Sequence, residues 1–136
     1  MKQWHIVVVG GGAKQTWVLD DAEREEAALR LRGPVGVWEG FGSDVWQAFR
    51  EIRLATDRLG MRLCCNGARR NAHASSMSRQ MSGGYLVYLL KFGQQARARD
   101  LVQIFDYAHP TRIASVADQD RFYAQWLSSL VHGPDE

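Results

Sequence analysis

The sequence predicts an α+β fold, a small mixed or antiparallel sheet with two to three helices packed on it. Three observations carry that prediction. Short β-branched runs such as WHIVVV (4–9) are set off by glycine-rich turns, as strands are. Residues 45–59 carry an apolar stripe at helical spacing. With 136 residues, 46% of them apolar and 24% charged, the chain is long enough to bury one core without staples. A single globular domain spanning 1–136 is therefore expected, with the last few residues as a flexible tail.

Residues 4–9 read as the first strand, and Gly10-Gly11-Gly12 supplies the positive φ angles of a tight turn into QTWVL, giving a hairpin. A phosphate-binding loop is the competing reading of GGGAKQT. It lacks the third glycine and the helical pattern of a dinucleotide fingerprint, and Lys14 does not sit in a Walker pattern. Asp20 or Asp21 is placed to cap a helix through DAEREEAALRLR. Glu23, Glu25 and Glu26 stand near its positive end, Arg30 and Arg32 near its negative end, and Gly33-Pro34 stops it. VGVWEGF follows as strand or loop.

The second helix is expected from Ser43 as N-cap, with Val45, Ala48, Phe49, Ile52, Ala55 and Leu59 as its buried stripe and Gly60 as terminator. MRLCC (61–65) then reads as a buried strand that leaves through an Asn66-Gly67 turn. The next fifteen or so residues have no clear period. YLVYLL (85–90) reads as a strand, and LVQIF (101–105) as a strand or helical turn. Ser115 and Asp118 resemble a capping box for a terminal helix buried through Phe122, Tyr123, Trp126, Leu127 and Leu130.

The formal net charge is only +2, from seventeen basic and fifteen acidic residues, which gives no general argument for nucleic acid. The distribution is uneven. Residues 62–99 hold Arg62, Arg69, Arg70, Arg79, Lys91, Arg97 and Arg99 with no Asp or Glu. With Tyr85 and Tyr88 for stacking, this segment could form a nucleic-acid face, but a solvated arginine face is the favoured reading. The adjacent Cys64 and Cys65 point to opposite faces of a strand, so they are expected neither to bond to each other nor to pair around zinc with His73 or His109. Cys65 with His73 or His109 lacks an orienting carboxylate for nucleophilic catalysis, and the paired acids of 20–26 suit a helix start better than acid/base work. No catalytic residue, metal or cofactor is expected. The four-residue apolar run near the N-terminus is too short for a signal peptide, and no stretch approaches a membrane span, so the expected location is cytoplasmic.

The remaining candidate is the segment after the cysteines. Its arginines, methionines and serines have the composition of a protein interface, and Asn66, Arg69, Arg70, His73, Ser76, Met77, Arg79 and Met81 are its candidate recognition residues. A structural alternative has Met77 and Met81, four apart, forming one face of a short helical turn that plugs the core. A second functional alternative has Asn66, Arg69, Arg70 and His73 gripping a small anion or nucleotide, as a binding domain or enzyme.

The blocks VWQAFREI, GMRLCCNGARRNAHASSMSRQMSGG, DLVQIFDYA and QDRFYAQWLSSL resemble a family of small bacterial immunity proteins associated with polymorphic toxin and contact-dependent growth inhibition loci. The resemblance spans about residues 45–130. Its most specific part is CNGAR followed by Ser-x-Met and a glycine pair. Relatives tend to carry Pro-Ser-Gly-Met where this chain has Ala74-Ser75-Ser76-Met77, which implies a differently shaped loop here. The resemblance implies a non-enzymatic protein that binds the C-terminal domain of a cognate toxin and neutralises it. Docking would use the 66–85 segment or an acidic face made of Asp20, Asp21, Glu23, Glu25 and Glu26.

Overall fold

The computed structural model describes residues 2–22 and 25–131, so Glu23 and the expected C-terminal tail lie outside the described residues. The class is α+β, as the sequence predicts. Strands β1 (Lys2–Gly10), β2 (Ala13–Asp21), β3 (Ala27–Gly33) and β4 (Gly36–Gly42) form an antiparallel meander, and β5 (Arg62–Cys64) closes the sheet beside β1 in the order β4-β3-β2-β1-β5. A second antiparallel sheet has the order β6-β7-β8, from β6 (Ala72–His73), β7 (Leu86–Leu89) and β8 (Leu101–Gln103). Helices α1 (Val45–Arg58), α2 (Ser76–Ser82) and α3 (Val116–Val131) complete the fold. One buried cluster joins both sheets to α1 through Ile6, Leu19, Leu31, Phe49, Leu63 and Val87.

The first hairpin forms as its sequence dictates. Gly10 pairs with Ala13, and the two glycines between them take φ of 58° and 78°, values that side-chain-bearing residues rarely adopt. The first three residues of LVQIF form strand β8, and VGVWEGF enters strand β4 from Gly36.

The helix expected after Asp20 is instead strand β3. Leu29 and Leu31 turn inward while Arg30 and Arg32 turn outward, a period of two that no helix accommodates. The charges thought to suit a helix dipole pair across strands: Arg30 with Glu39 at 3.4 Å and Arg32 with Asp20 at 2.8 Å. Gly33 does not stop a helix. A Cβ there would collide with the Trp17 ring, and its absence lets Trp17 pass over β3 and stack on Trp38 of β4, with centroids 5.1 Å apart.

Helix α1 starts one residue later than expected. Asp44, not Ser43, caps it by accepting the Gln47 N–H at 2.9 Å. Gly60 ends it with φ of 71°. The expected stripe is buried at Val45, Ala48, Phe49 and Ile52, whereas Leu59, at the C-cap, lies outside it and is exposed. α1 lies close on β4, where a Cβ at Gly40 would strike the Ala48 carbonyl.

Arg53, on the buried face of α1, is 2% exposed. Its Nη1 donates to Gln119 Oε1 at 2.8 Å and to the Gly67 carbonyl at 3.3 Å, and its Nη2 donates to the Ala114 carbonyl at 2.9 Å. Gln119 Nε2 in turn donates to the carbonyls of Gly67 and Arg69 at 3.0 and 2.9 Å. Burial pulls the guanidinium down to about 10, with the charge of Asp57 opposing. At neutral pH it stays charged among neutral acceptors.

This node explains why Asn66-Gly67 is not a surface turn. Asn66–Ala68 form a buried 3-10 turn, with the Asn66 and Gly67 N–H groups bonded to the carbonyls of Asp106 (2.9 Å) and Ile104 (2.7 Å). The node also recentres α3, whose buried residues are Val116, Gln119 and Trp126. Phe122 and Tyr123 are only half-buried and Leu127 is exposed, contrary to the expected apolar face. Ser115 caps this helix as expected, accepting the Asp118 N–H at 3.1 Å.

Removing the guanidinium strands buried acceptors, so Arg53→Met is expected to lower unfolding free energy by about 3 kcal/mol. Gln119→Ala should cost roughly 2 kcal/mol, and a double-mutant cycle in urea should return a coupling of at least about 1 kcal/mol. Additive losses would show that the two side chains act independently.

Candidate functional site

A hollow of about 270 Å³ lies where α1, β6, α2 and α3 meet, lined by Trp46, Gln47, Arg50, Ala72, His73, Arg79, Gln119, Asp120 and Tyr123. Its walls are aromatic. The His73 ring stacks on Tyr123 with centroids 3.9 Å apart and meets Trp46 edge-on at 6.3 Å. The rim is ionic: Arg50 grips Asp120 with two bonds of 2.8 and 2.6 Å, and Arg79 pairs with Asp44. The hydrogen bond with Asp120 raises Arg50 and lowers Asp120, so each stays charged. Burial pushes His73 down to about 4, helped by the charge of Arg79 and opposed by Asp120. The imidazole is therefore neutral at physiological pH, a flat aromatic surface and a weak base.

Arg79 connects this hollow to α2. Ser75 caps that helix by accepting the Ser78 N–H at 3.1 Å, and Gly83 closes it with φ of 66°. Ser76 is exposed in its first turn. Met77 and Met81 do share one helical face, but that face turns outward: they are 65% and 81% exposed. The core-plug alternative is thereby excluded. Six of the seven residues of α2 are exposed or half-buried, and the side chain turned inward is Ser78.

The other expected site residues separate. Asn66 is buried, its Nδ2 donating to the Gln103 carbonyl at 3.0 Å. Arg69 is half-buried behind α3, and Arg70 reaches the opposite side, 5.9 Å over the Phe122 ring. His73 lies in the aromatic hollow instead, so the four residues proposed to hold one anion do not face one cavity. The acidic face is also broken up. Asp20 and Asp21 are buried in β2, where Asp20 meets Arg32 and Asp21 accepts from the Tyr85 hydroxyl, leaving Glu25 and Glu26 exposed beside them.

Both cysteines are buried and free. Cys65 is pushed up to about 12 by burial, and Cys64 is raised for the same reason, so neither is a ready thiolate. Among the described residues, no group of three or more His, Cys, Asp or Glu side chains is placed to hold a metal ion, and no helix is long and apolar enough to cross a membrane.

Sequence reasoning missed Trp46, Arg50, Asp120 and Tyr123. Arg50 and Asp120 are 70 residues apart, and nothing local marks them as partners. Tyr123 carried a signal in its spacing from Gln119, one helical turn away, but was read as core. Compared with known proteins, the chain matches no family model and no curated sequence.

Because His73 binds its proton more weakly folded than unfolded, stability is complete above about pH 6.5 and declines as pH falls toward 4. His73→Phe keeps a ring for stacking and should flatten this slope in urea midpoints measured across that window. An unchanged slope would assign it to other groups. A thiol reagent such as DTNB should label neither cysteine at pH 7.5 until the protein is unfolded in urea; prompt labelling of the native protein would contradict the burial of both.

Proposed function

We propose that this chain is a non-enzymatic immunity protein that acts in the cytoplasm by binding the C-terminal toxin domain of a cognate partner. The observation that carries the reading is the outward face of α2, where Met77 and Met81 present bare apolar surface, on the same short helix whose Arg79 lines the hollow walled by Trp46, His73 and Tyr123. Methionine, arginine and aromatic side chains are the residue types that interface cores favour. Thioethers adapt to an irregular partner surface, and the neighbouring ion pairs, Arg50–Asp120 and Arg79–Asp44, form a charged rim that orients an incoming protein.

The face is a stable platform rather than a loose loop. Ser75 and Gly83 hold the ends of α2, and the Val45 N–H bonds to the Gly83 carbonyl at 2.9 Å, tying α2 to the start of α1. Pre-organisation of this kind lowers the ordering cost of association. The neutral His73 ring suits contact better than proton transfer, and the buried, protonated thiols are out of reach for nucleophilic attack.

The test is co-expression with the polypeptide encoded immediately upstream, scored by copurification and by survival of cells that make it. Wild-type chain should rescue growth and form a stoichiometric complex. Met77→Glu with Met81→Glu should weaken binding by roughly 100-fold and abolish rescue, with the thermal midpoint nearly unchanged because both side chains are exposed. Rescue that survives the double substitution would remove α2 from the interface; neither rescue nor complex with wild type would overturn the immunity reading.

A further inference from the structure

On the other side of α3 lies a cleft of about 470 Å³, lined by Asp57, Gly60, Met61, Arg62, Arg70, Thr111, Arg112, Ile113, Ala114, Ser115 and Asp118. Three arginines line it from separate parts of the chain: Arg62 from β5, its Nη1 donating to the Ile113 carbonyl at 3.5 Å, Arg70 from the turn after the buried Asn66–Ala68 segment, and Arg112 from the 3-10 turn Pro110–Arg112. The backbone brings them together, since the Arg70 N–H bonds to the Arg112 carbonyl at 2.9 Å and Arg69 bridges to Ile113.

Two carboxylates share the cleft, and one of them, Asp118, is ion-paired. Asp57 Oδ2 accepts the Val116 N–H at 2.8 Å and Asp118 Oδ1 accepts from Arg121 at 2.6 Å. By contrast, none of Arg62, Arg70 and Arg112 forms an ion pair among the described residues. Behind them, the buried Nε of Arg69 has no hydrogen-bond partner, and burial together with the charge of Arg112 pulls Arg69 down. The cleft also opens at the start of the 16-residue helix α3, whose dipole favours negative charge there. Three arginines outnumber the two carboxylates of the lining, and a bound anion would relieve the excess of like charge.

We propose that this cleft binds a small phosphomonoester, with its phosphate held by Arg62, Arg70 and Arg112. A tetrahedral dianion offers three oxygens and twice the charge to three planar forks, whereas a carboxylate offers two oxygens and a single charge. The volume exceeds what phosphate alone needs, and Met61 and Ile113 provide an apolar wall for the organic part. The site is separate from the α2 face and stands whether or not that face binds a toxin.

Isothermal titration calorimetry of the full chain tests it with four arms: inorganic phosphate, glucose 6-phosphate, AMP and poly(U), with glucose and adenosine as unphosphorylated controls. At least one phosphomonoester should bind saturably at one per chain and more tightly than inorganic phosphate, while both controls give no heat. Arg70→Gln and Arg112→Gln should each weaken that binding by roughly 10-fold, with urea midpoints at or above wild type. Arg112→Lys, which keeps charge but loses the fork, should fall between. The proposal is overturned if neither phosphomonoester binds, if only inorganic phosphate or only poly(U) binds, or if both glutamine variants bind as wild type does.

Discussion

A buried guanidinium governs how the second half of this chain is laid down. Arg53 is carried into the interior by α1, and a charge there is tolerable only when its donors are satisfied. With no carboxylate in contact, the acceptors come from Gly67, Ala114 and Gln119. That requirement fixes the direction of the Gly67 and Ala114 carbonyls and the rotation of α3. It also demands close approach: a Cβ at Gly67 would run into Ile104 and Phe49. The segment after β5 is therefore drawn inward, its arginines are distributed to either side of α3, and the aromatic hollow and the arginine cleft become two sides of one buried attachment.

The fold was legible where a local rule had no competitor. Consecutive glycines between β-branched runs produced the β1–β2 hairpin, and the α1 stripe produced its helix. It was illegible where two rules competed. Acidic residues followed by Arg30 and Arg32 satisfy helix dipole preferences, yet Leu29 and Leu31 alternate with those arginines, and the strand period prevails because each arginine finds its acid on a neighbouring strand. Asn66-Gly67 failed differently. The dipeptide carries turn chemistry, but the acceptor needs of Arg53, a residue read only as part of a helix, decide where it goes.

The candidate site divides along the same line. Met77, Arg79 and Met81 stood out as candidate recognition residues from composition alone, and their outward placement on α2 depends only on a short capped helix whose inward residue is Ser78. Arg50, Asp120 and Trp46 were not legible, because their roles exist only once α1 and α3 meet across the intervening chain. Grouping Arg69, Arg70 and His73 in one grip treated neighbours in sequence as neighbours in space. A strand pairing at His73 and a bridge at Arg69 send their side chains to different surfaces.

The basic character of residues 62–99 consequently does not act as one field. Arg79 is neutralised by Asp44 at the edge of the hollow, so its contribution there is orientation and shape more than net charge. Arg62 and Arg70 form no ion pair among the described residues and, joined by Arg112, give their cleft an excess of positive charge over Asp57 and Asp118. Charge complementarity acts over about one Debye length, roughly 8 Å at physiological salt. The two sides of α3 therefore differ in character: on one side an aromatic hollow with paired charges, on the other a cleft with an excess of arginines. The first is the face proposed for hydrophobic anchoring and the second the cleft proposed for anion capture, and the buried Arg53 node lies between the segments that build them.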